Sequence, residues 1–166
     1  MRVFDAFLSC GSVCTDTRAI APGSVFFALK GASFNGNAFA MQALAAGASY
    51  AVVDEYVGED ERLLLVADVL TAMQQCARDY RRYLNVPTLG LTGSNGKTVV
   101  KEWLYQLLKN NYSICRSPKS YNSQIGVPLS VWQINEQHNL AIIEAGISTV
   151  NEMDSLDQLL NQQLGY

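Results

Sequence analysis

The chemically most informative stretch of this 166-residue chain runs from Gly90 to Thr98 and contains three glycines followed by a Lys-Thr pair. Such glycines let backbone N–H groups turn towards an anion without clashes at Cβ. A helix that begins near Lys97 would point the positive end of its dipole at the same anion. Lys97 can reach the β- and γ-phosphates of a nucleotide, and the Thr98 hydroxyl can bind Mg²⁺. We therefore predict a nucleotide-phosphate site that consists of Gly93, Ser94, Asn95, Gly96, Lys97 and Thr98.

The flanking sequence supports this interpretation. An extended apolar segment, 86–89, precedes the loop, and a pattern with helical spacing of apolar residues follows it over 99–108. The general phosphate-loop pattern requires a glycine at position 91, where this chain has Leu91, but the string from Thr92 to Thr98 is the more specific signal. The alternative is a glycine-rich turn between strand and helix with an exposed lysine.

Two polar residues are expected at the same edge of a sheet as the loop. Glu144 ends the predicted strand 140–144, and Asn122 lies in a polar loop after the predicted strand 112–115. Ligands of open α/β sheets bind outside the carboxyl ends of the strands, so Glu144 is predicted to hold Mg²⁺ beside the phosphate loop. The alternatives are a capping or salt-bridged glutamate and a turn asparagine.

A second polar cluster lies near the N-terminus. Thr15, Asp16, Thr17 and Arg18 bring two hydroxyls, a carboxylate and a guanidinium together. These groups could bind a sugar-nucleotide, with the hydroxyls and arginine on phosphate. A second wall could come from the segments Lys30-Gly31 and Asn35-Gly36-Asn37. The alternative for residues 15–18 is a local turn that the Asp16 and Thr17 side chains stabilise.

The predicted elements fall into two units, which we place at residues 1–84 and 85–166. In the first, strands 25–29, 50–53 and 63–66 alternate with helices 38–47 and 69–84, and residues 31–37 are predicted as a loop. The second unit runs strand, loop and helix, then strands 112–115 and 140–144, with a last helix over 151–160. This alternation predicts an α/β fold with parallel, doubly wound sheets. Only three strands appear after residue 85, so we expect a fragment of a longer protein.

Composition excludes several classes of protein. The net charge is −3 and lysine and arginine form no run, which argues against a nucleic-acid partner. No stretch of about 18 apolar residues could span a membrane. The four cysteines and the single histidine, His138, form no zinc pattern, so we expect reduced thiols and a cytoplasmic location.

The loop and the N-terminal cluster resemble one known family, the Mur ligases, which build the peptide of bacterial peptidoglycan. Residues 92–98 resemble the ATP loop of that family. Residues 15–18, together with the segments within 22–36, are similar to the UDP-binding domain that two branches of the family share.

Three further segments resemble the branch that adds D-alanyl-D-alanine: Lys101-Glu102, residues 122–129 and Glu144-Ala145-Gly146. The last of these stands in the place of the family's Mg²⁺ glutamate. Two departures are visible, at Ser123, where the family usually has a second asparagine, and at Ile147-Ser148.

The resemblance implies a small N-terminal UDP-binding α/β domain followed by the first part of a P-loop-type ATPase domain with a parallel sheet. It also implies an ATP-dependent amide ligase that joins D-Ala-D-Ala to UDP-N-acetylmuramoyl-tripeptide through an acyl phosphate. ATP and Mg²⁺ would be the cofactors. The implied catalytic residues are Lys97 and Glu144, the implied Mg²⁺ ligands are Thr98 and Glu144, and the implied UDP-sugar contacts are Thr15, Asp16, Thr17, Arg18, Lys30, Asn35, Gly36 and Asn122.

By the same resemblance, a carbamylated lysine and a C-terminal domain that closes over ATP would follow Tyr166. Residues 1–166 alone are therefore expected to form no peptide bond. Some relatives continue into an alanine racemase module, and that possibility stays open. The remaining alternatives are a branch of the family that adds a single amino acid and a nucleotide-binding module without ligase activity. A folate polyglutamate ligase fits residues 15–37 poorly.

Overall fold

The computed structural model describes residues 1–119 and 121–146. The chain divides into two compact units, one that ends at Cys76 and one that begins at Ala77. Helix Val69–Leu84 runs through this division, so the domain limits of 1–84 and 85–166 stay a prediction. The predicted helix over 151–160 lies outside the described residues.

The first unit is built on a parallel sheet. Its helices are α1 (Val3–Cys10), α2 (Ala40–Ala45) and the start of α3 (Val69–Leu84), and its strands are β1 (Val13–Cys14), β2 (Val25–Phe27), β3 (Lys30–Gly31), β4 (Phe34–Asn35), β5 (Tyr50–Val53) and β6 (Leu63–Leu65). The order in the sheet is β1–β2–β5–β6, and all three pairings are parallel. Two 3₁₀ turns, Thr17–Ala19 and Gly36–Phe39, complete the unit.

Burial follows position in this sheet. The central strand β2 is fully buried, as expected for a parallel strand that is covered on both faces. At the sheet edge Leu65 is exposed, whereas the sequence predicts a buried strand over 63–66. The α3 prediction is confirmed at both ends, because Asp68 accepts a hydrogen bond from the N–H of Thr71 and Asn85 follows with φ of 50°.

The segment predicted as a loop over 31–37 contains regular structure instead. Strands β3 and β4 form a two-stranded antiparallel hairpin, with Lys30 opposite Asn35 and Gly31 opposite Phe34. The chain then passes directly over the end of β2, where the N–H of Gly36 donates to the carbonyl of Leu29 at 2.9 Å. Glycine and asparagine content indicated a loop, but backbone pairing organises the segment.

The second unit contains a three-stranded parallel sheet. Its strands are β7 (Thr88–Leu91), β8 (Ile114–Arg116) and β9 (Leu140–Glu144), and its further helices are α4 (Lys97–Leu108) and α5 (Gly126–Val131). The order is β7–β9–β8, with Leu91 opposite Glu144 and Arg116 opposite Ile142. The carboxyl ends of all three strands therefore meet at one edge. The expected α/β class with parallel sheets is confirmed.

Helix α4 reverses the usual pattern of an amphipathic helix. Val99, Trp103 and Leu107 are 52%, 67% and 74% exposed, whereas Lys101 is completely buried. The apolar residues share one helical face because they are four residues apart. The described residues of this unit therefore cover the charged face of α4 and not its apolar stripe. Within the described ranges, no helix has the length and apolar character that a membrane span requires.

The close approach at Gly36 generates a stability prediction. A Cβ at this position would lie 2.5 Å from the carbonyl oxygen of Leu29 and 2.6 Å from the carbonyl carbon of Ala28. Because these are backbone atoms, Gly36→Ala is expected to lower the free energy of unfolding by about 1–3 kcal/mol. Denaturant unfolding measures this change. At Gly31 the nearest atom to such a Cβ would be 4.0 Å away, so Gly31→Ala is the matched control, and equal effects of the two variants would contradict the prediction.

Candidate functional site

The predicted phosphate loop occupies the turn between β7 and α4. Gly93 and Gly96 have φ of 129° and 79°, values that favour glycine, and residues 92–96 are exposed. Gly96 is the N-cap of α4, and no side chain caps the helix there. The Lys97 ammonium donates to the carbonyl of Gly93 across the loop. An uncapped helix start behind an exposed glycine loop is a geometry that suits an anion.

Thr98 and Glu144 meet beside this loop. The Thr98 hydroxyl donates to Oε2 of Glu144 at 3.2 Å, although the two residues are 46 positions apart in sequence. Glu144 is completely buried, and its other oxygen, Oε1, lies 2.9 Å from Nζ of Lys101. Glu144 thus lies beside the loop, as predicted, and it also forms the salt bridge that the alternative interpretation expected.

The oxygens of Thr98 and Glu144 are of the type that binds Mg²⁺. The described residues contain no group of three or more His, Cys, Asp or Glu side chains that could hold a metal. They do offer a carboxylate oxygen and a hydroxyl oxygen 3.2 Å apart, at the end of the phosphate loop. Mg²⁺ is usually bound by one or two carboxylates together with substrate phosphates and water. The residues present fit an ion of that kind.

Sequence reasoning assigned Lys101 no role at the site. Nζ of Lys101 contacts Glu144 and also donates to the carbonyls of Ser117 and Lys119, at 2.8 and 2.6 Å. A usable signal was present, because Lys101 lies three residues after Thr98 and therefore on the same helical face. What the sequence could not show was that this face is buried.

Asn122 lies beside the end of β9. Its carbonyl accepts a hydrogen bond from the N–H of Gly146 at 2.7 Å, and a Cβ on Gly146 would lie 2.9 Å from the same oxygen. Gly146 lies two residues after Glu144, so the structure brings the backbone of Asn122 close to the end of β9. The neighbouring Ser123 accepts from the N–H of Gly126 at 3.0 Å and so supports the start of α5.

The N-terminal cluster lines a cleft in the first unit. The cleft has a volume of about 740 Å³, and its lining residues are Thr15, Asp16, Thr17, Arg18, Phe34, Phe39 and Gln42. The rings of Phe34 and Phe39 stack with centroids 5.4 Å apart and an interplanar angle of 12°. Sequence reasoning missed Phe34, Phe39 and Gln42, because the hairpin, the following turn and α2 bring them to the cleft.

Within this cleft Asp16 and Arg18 form a close ion pair. The guanidinium contacts both carboxylate oxygens, with the shortest distance 2.6 Å, and the backbone N–H of Arg18 also donates to Asp16. The Arg18 side-chain hydrogen bond lowers the pKa of Asp16 to about 2. Asp16 and Arg18 therefore form the local turn that the alternative interpretation expected, and they also line the cleft. Both side chains are charged at neutral pH.

Lys30, Asn35 and Gly36 are not among the residues that line the cleft. The Lys30 ammonium lies 2.8 Å from Asp54 and 2.9 Å from Glu55, and the Asn35 amide donates to Glu55 at 3.0 Å. Gly36 is buried against the chain that follows β2. The structure therefore gathers the 15–18 cluster into one cleft and places these three residues in a neighbouring polar network.

Asp54 is the centre of that network. Asn37, itself buried, donates to Oδ1 of Asp54 at 2.8 Å and accepts from its N–H, while the N–H of Val69 donates to Oδ2. Burial raises the pKa of Asp54, but the hydrogen bonds from Lys30, Asn37 and Val69 outweigh it, so the pKa lies below its ordinary value of 3.8. The network ties the hairpin to the start of α3.

Both halves of the chain match one family. Residues 91–165 match the Mur ligase middle domain, and residues 11–81 match the Mur ligase family, catalytic domain. The chain belongs to the Mur ligase family. The resemblance drawn from the loop and the N-terminal cluster is thereby confirmed.

Individual relatives agree with this assignment. The chain is 38% identical over 152 residues to UDP-N-acetylmuramoyl-tripeptide–D-alanyl-D-alanine ligase of Bacillus subtilis (strain 168), which covers 90% of this chain and 33% of the relative. The crystal structure of MurF ligase from Thermotoga maritima in complex with ADP matches with a TM-score of 0.85 and 28% identity, over 96% of this chain and 36% of that one. MurF from Acinetobacter baumannii matches with a TM-score of 0.84 and 29% identity, over 90% and 33%. The chain spans about a third of the length of these relatives.

The Asp54 network generates a prediction about pH. Because the pKa of Asp54 is lowered in the folded protein, its contribution to stability is complete above the pKa of the unfolded chain and is lost as the pH falls through the lower, folded-state value. Asp54→Asn is therefore expected to destabilise the first unit at neutral pH. The difference in unfolding free energy from wild type should shrink below pH 3.8.

Denaturant unfolding of both proteins across this pH range measures the difference. Glu59→Gln is the control, since Glu59 is exposed and lies outside the hydrogen bonds of the network. A difference between wild type and Asp54→Asn that stays constant as the pH falls would contradict the expected pKa shift.

Proposed function

We propose that the complete protein is an ATP-dependent ligase that joins D-Ala-D-Ala to UDP-N-acetylmuramoyl-tripeptide. The observation that carries this proposal is the pair of Thr98 and Glu144 at the phosphate loop, 3.2 Å apart. The printed activity of the relatives and the ADP bound to the Thermotoga maritima structure support it. The same proposal includes a cytoplasmic location and a role in the synthesis of peptidoglycan precursors.

The chemistry that we propose is activation of a carboxylate followed by amide formation. A carboxylate is a poor electrophile until one of its oxygens becomes a phosphate leaving group, so phosphoryl transfer from ATP must come first. The protein then has to position the reactants and neutralise charge. Lys97 would bind the transferred phosphate, and the exposed loop 92–96 would bind the neighbouring phosphates through backbone N–H groups. Thr98 and Glu144 would hold Mg²⁺, which supplies further charge neutralisation when bound.

The cleft of the first unit is our proposed site for the UDP group. The hydroxyls of Thr15 and Thr17 and the exposed guanidinium of Arg18 offer hydrogen bonds to a diphosphate, while Phe34 offers a ring for a base. Half of the Phe34 side chain is exposed, and its ring is supported by Phe39. Lys30, Asn35 and Gly36 would act through the hairpin that carries Phe34 and not by direct contact. Asn122, which lies near the end of β9 in the second unit, is our further proposed substrate-binding residue.

The domain limits of 1–84 and 85–166 belong to this proposal, with UDP binding in the first domain and ATP binding in the second. The relatives are about three times as long as this chain. A carbamylated lysine, the site for D-Ala-D-Ala and the closure over ATP are therefore assigned to parts that this sequence does not include. For the same reason residues 1–166 alone should not form the amide.

The proposed ligase activity generates a prediction about Lys97. In the complete protein, Lys97→Ala is expected to lower the rate of ATP-dependent ligation by about a hundredfold or more, because a cation that contacts the transferred phosphate is lost. Its fold should be unchanged, since the ammonium contacts a single loop carbonyl and opens no cavity when removed. The assay is phosphate release that requires both the UDP-tripeptide and D-Ala-D-Ala.

Lys109→Ala is the matched control, because Lys109 is an exposed lysine at the other end of α4. Near wild-type turnover by a folded Lys97→Ala variant would contradict the assignment. Replacement of D-Ala-D-Ala by single amino acids in the wild-type assay separates this ligase from the branch that adds one residue. No amide product with any amine would favour a nucleotide-binding module.

The proposed UDP site generates a prediction about Phe34. Loss of an aromatic ring that stacks on a base typically costs about 1–3 kcal/mol, so Phe34→Ala should weaken UDP binding by about tenfold or more. Calorimetric titration with UDP, in the absence of ATP, measures the change. Tyr56→Ala removes an exposed ring of the same unit that does not line the cleft and should leave the affinity unchanged. Equal affinities for wild type and Phe34→Ala would place the base elsewhere.

A further inference from the structure

Lys101 is a buried cation whose role the proposed chemistry does not explain. It is completely buried, although its helix exposes a stripe of apolar residues on another face. An ammonium removed from water is costly unless hydrogen-bond and charge partners replace its hydration. The position of Lys101 therefore has to be explained by the groups around it.

Three groups surround the ammonium. It donates hydrogen bonds to the carbonyls of Ser117 and Lys119, at 2.8 and 2.6 Å. Its Nζ also lies 2.9 Å from Oε1 of Glu144, and this ion pair supplies the opposite charge. The Glu102 carboxylate is more distant, at 3.8 Å, and lies 3.4 Å from Arg116. Lys101 thus joins α4, the loop after β8 and the end of β9.

The backbone at Lys119 supports this role. Lys119 has a φ of 50°, a conformation that residues other than glycine rarely adopt. Such a conformation persists only where the surrounding structure holds it. Here the carbonyl of Lys119 accepts a hydrogen bond from Lys101.

The geometry at Glu144 shows what the lysine contributes. Oε1 faces Lys101, Oε2 accepts from the Thr98 hydroxyl, and the backbone N–H donates to the Ser117 hydroxyl at 2.9 Å. Hydrogen bonds therefore fix Oε2 and the backbone, and the ion pair with Lys101 is the contact that holds Oε1. The oxygen that remains on the side of the phosphate loop is Oε2.

We propose that Lys101 is a positioning residue, which holds Oε1 of Glu144 and so directs Oε2 towards the divalent cation at Thr98. This inference rests on the proposed function, because that function supplies the cation. Side chains that orient a metal ligand typically change metal affinity or activity by about 10–100-fold when they are mutated. Lys101 itself touches neither substrate nor cation in this scheme.

The test uses Mn²⁺ as the probe and the complete protein with ADP bound. Without the contact to Oε1, the Glu144 side chain can rotate away from Thr98, so Lys101→Met should bind Mn²⁺ about tenfold more weakly. Electron paramagnetic resonance measures the free Mn²⁺. In the ligation assay the half-saturating Mg²⁺ concentration should rise similarly, while the KM for the UDP-tripeptide stays unchanged. A purely structural role would not shift the metal dependence selectively.

Lys109→Met is the matched control, because it makes the same change at an exposed lysine next to the same helix, and it should bind Mn²⁺ as wild type does. A folded Lys101→Met variant with wild-type Mn²⁺ affinity would overturn this inference and leave the proposed function intact. If wild type with ADP binds no Mn²⁺, the inference and the proposed metal site fall together.

A measurement on the wild-type protein decides the question if Lys101→Met does not fold. The ¹⁵N–¹H signal of the Lys101 ammonium should be protected from exchange with water, both without nucleotide and with Mg²⁺ and ADP, because the lysine keeps its hold on Oε1. Loss of that protection when Mg²⁺ and ADP are added would show that the cation displaces Lys101, and it would overturn the inference.

Discussion

The second unit depends on one buried charge pair. The carboxylate of Glu144 and the ammonium of Lys101 are both removed from water and lie 2.9 Å apart. Loss of either partner of such a pair generally costs about 3–5 kcal/mol, since the other is left as an uncompensated buried charge. The helix after the phosphate loop, the loop after β8 and the end of β9 must therefore stay together.

Parallel pairing supplies the second constraint. Because β7, β9 and β8 run in the same direction, the phosphate loop, Glu144 and Ser117 all emerge at one edge of the sheet. The central position belongs to β9, the last strand among the described residues, and it places Glu144 between the loops that follow its two neighbours. A nucleotide site at such an edge is the usual consequence of an open α/β sheet.

In the first unit the polar residues fall into two groups with different partners. Asp16 and Arg18 neutralise each other at the cleft, where the guanidinium still presents a largely exposed side chain. Lys30 and Asn35 turn instead to Asp54 and Glu55, and through Asp54 the hairpin is tied to α3. The hairpin therefore contributes Phe34 to the wall of the cleft, and the polar network around Asp54 holds the hairpin in position. Residues that line the cleft and residues that support the hairpin therefore lie close together in sequence but have different contacts.

Sequence alone determined the elements whose signals are local. The glycine loop, the Lys-Thr pair and the helical spacing after it specified a strand, a loop and a helix, because φ angles and periodicity depend on neighbouring residues. The alternation of strands and helices specified parallel sheets for a similar reason. The placement of Glu144 at the same sheet edge as the loop also followed, since it required only that the strands be parallel, whereas the strand order that makes β9 the neighbour of β7 came from the tertiary structure.

Tertiary structure decided everything that depends on which face is covered. Residues 30–35 form a hairpin because Lys30 pairs with Asn35 and Gly31 pairs with Phe34, and glycine content alone cannot reveal pairing. The spacing of α4 fixed which residues share a face, but only the packing of the sheet selected the face that carries Lys101 for burial. The ion pair with Glu144 joins residues 43 positions apart, so no local pattern could specify it. Contacts between residues distant in sequence bury Lys101 and Glu144 away from water. These contacts define the position of Glu144 beside the loop, which the sequence pattern of the loop could not do.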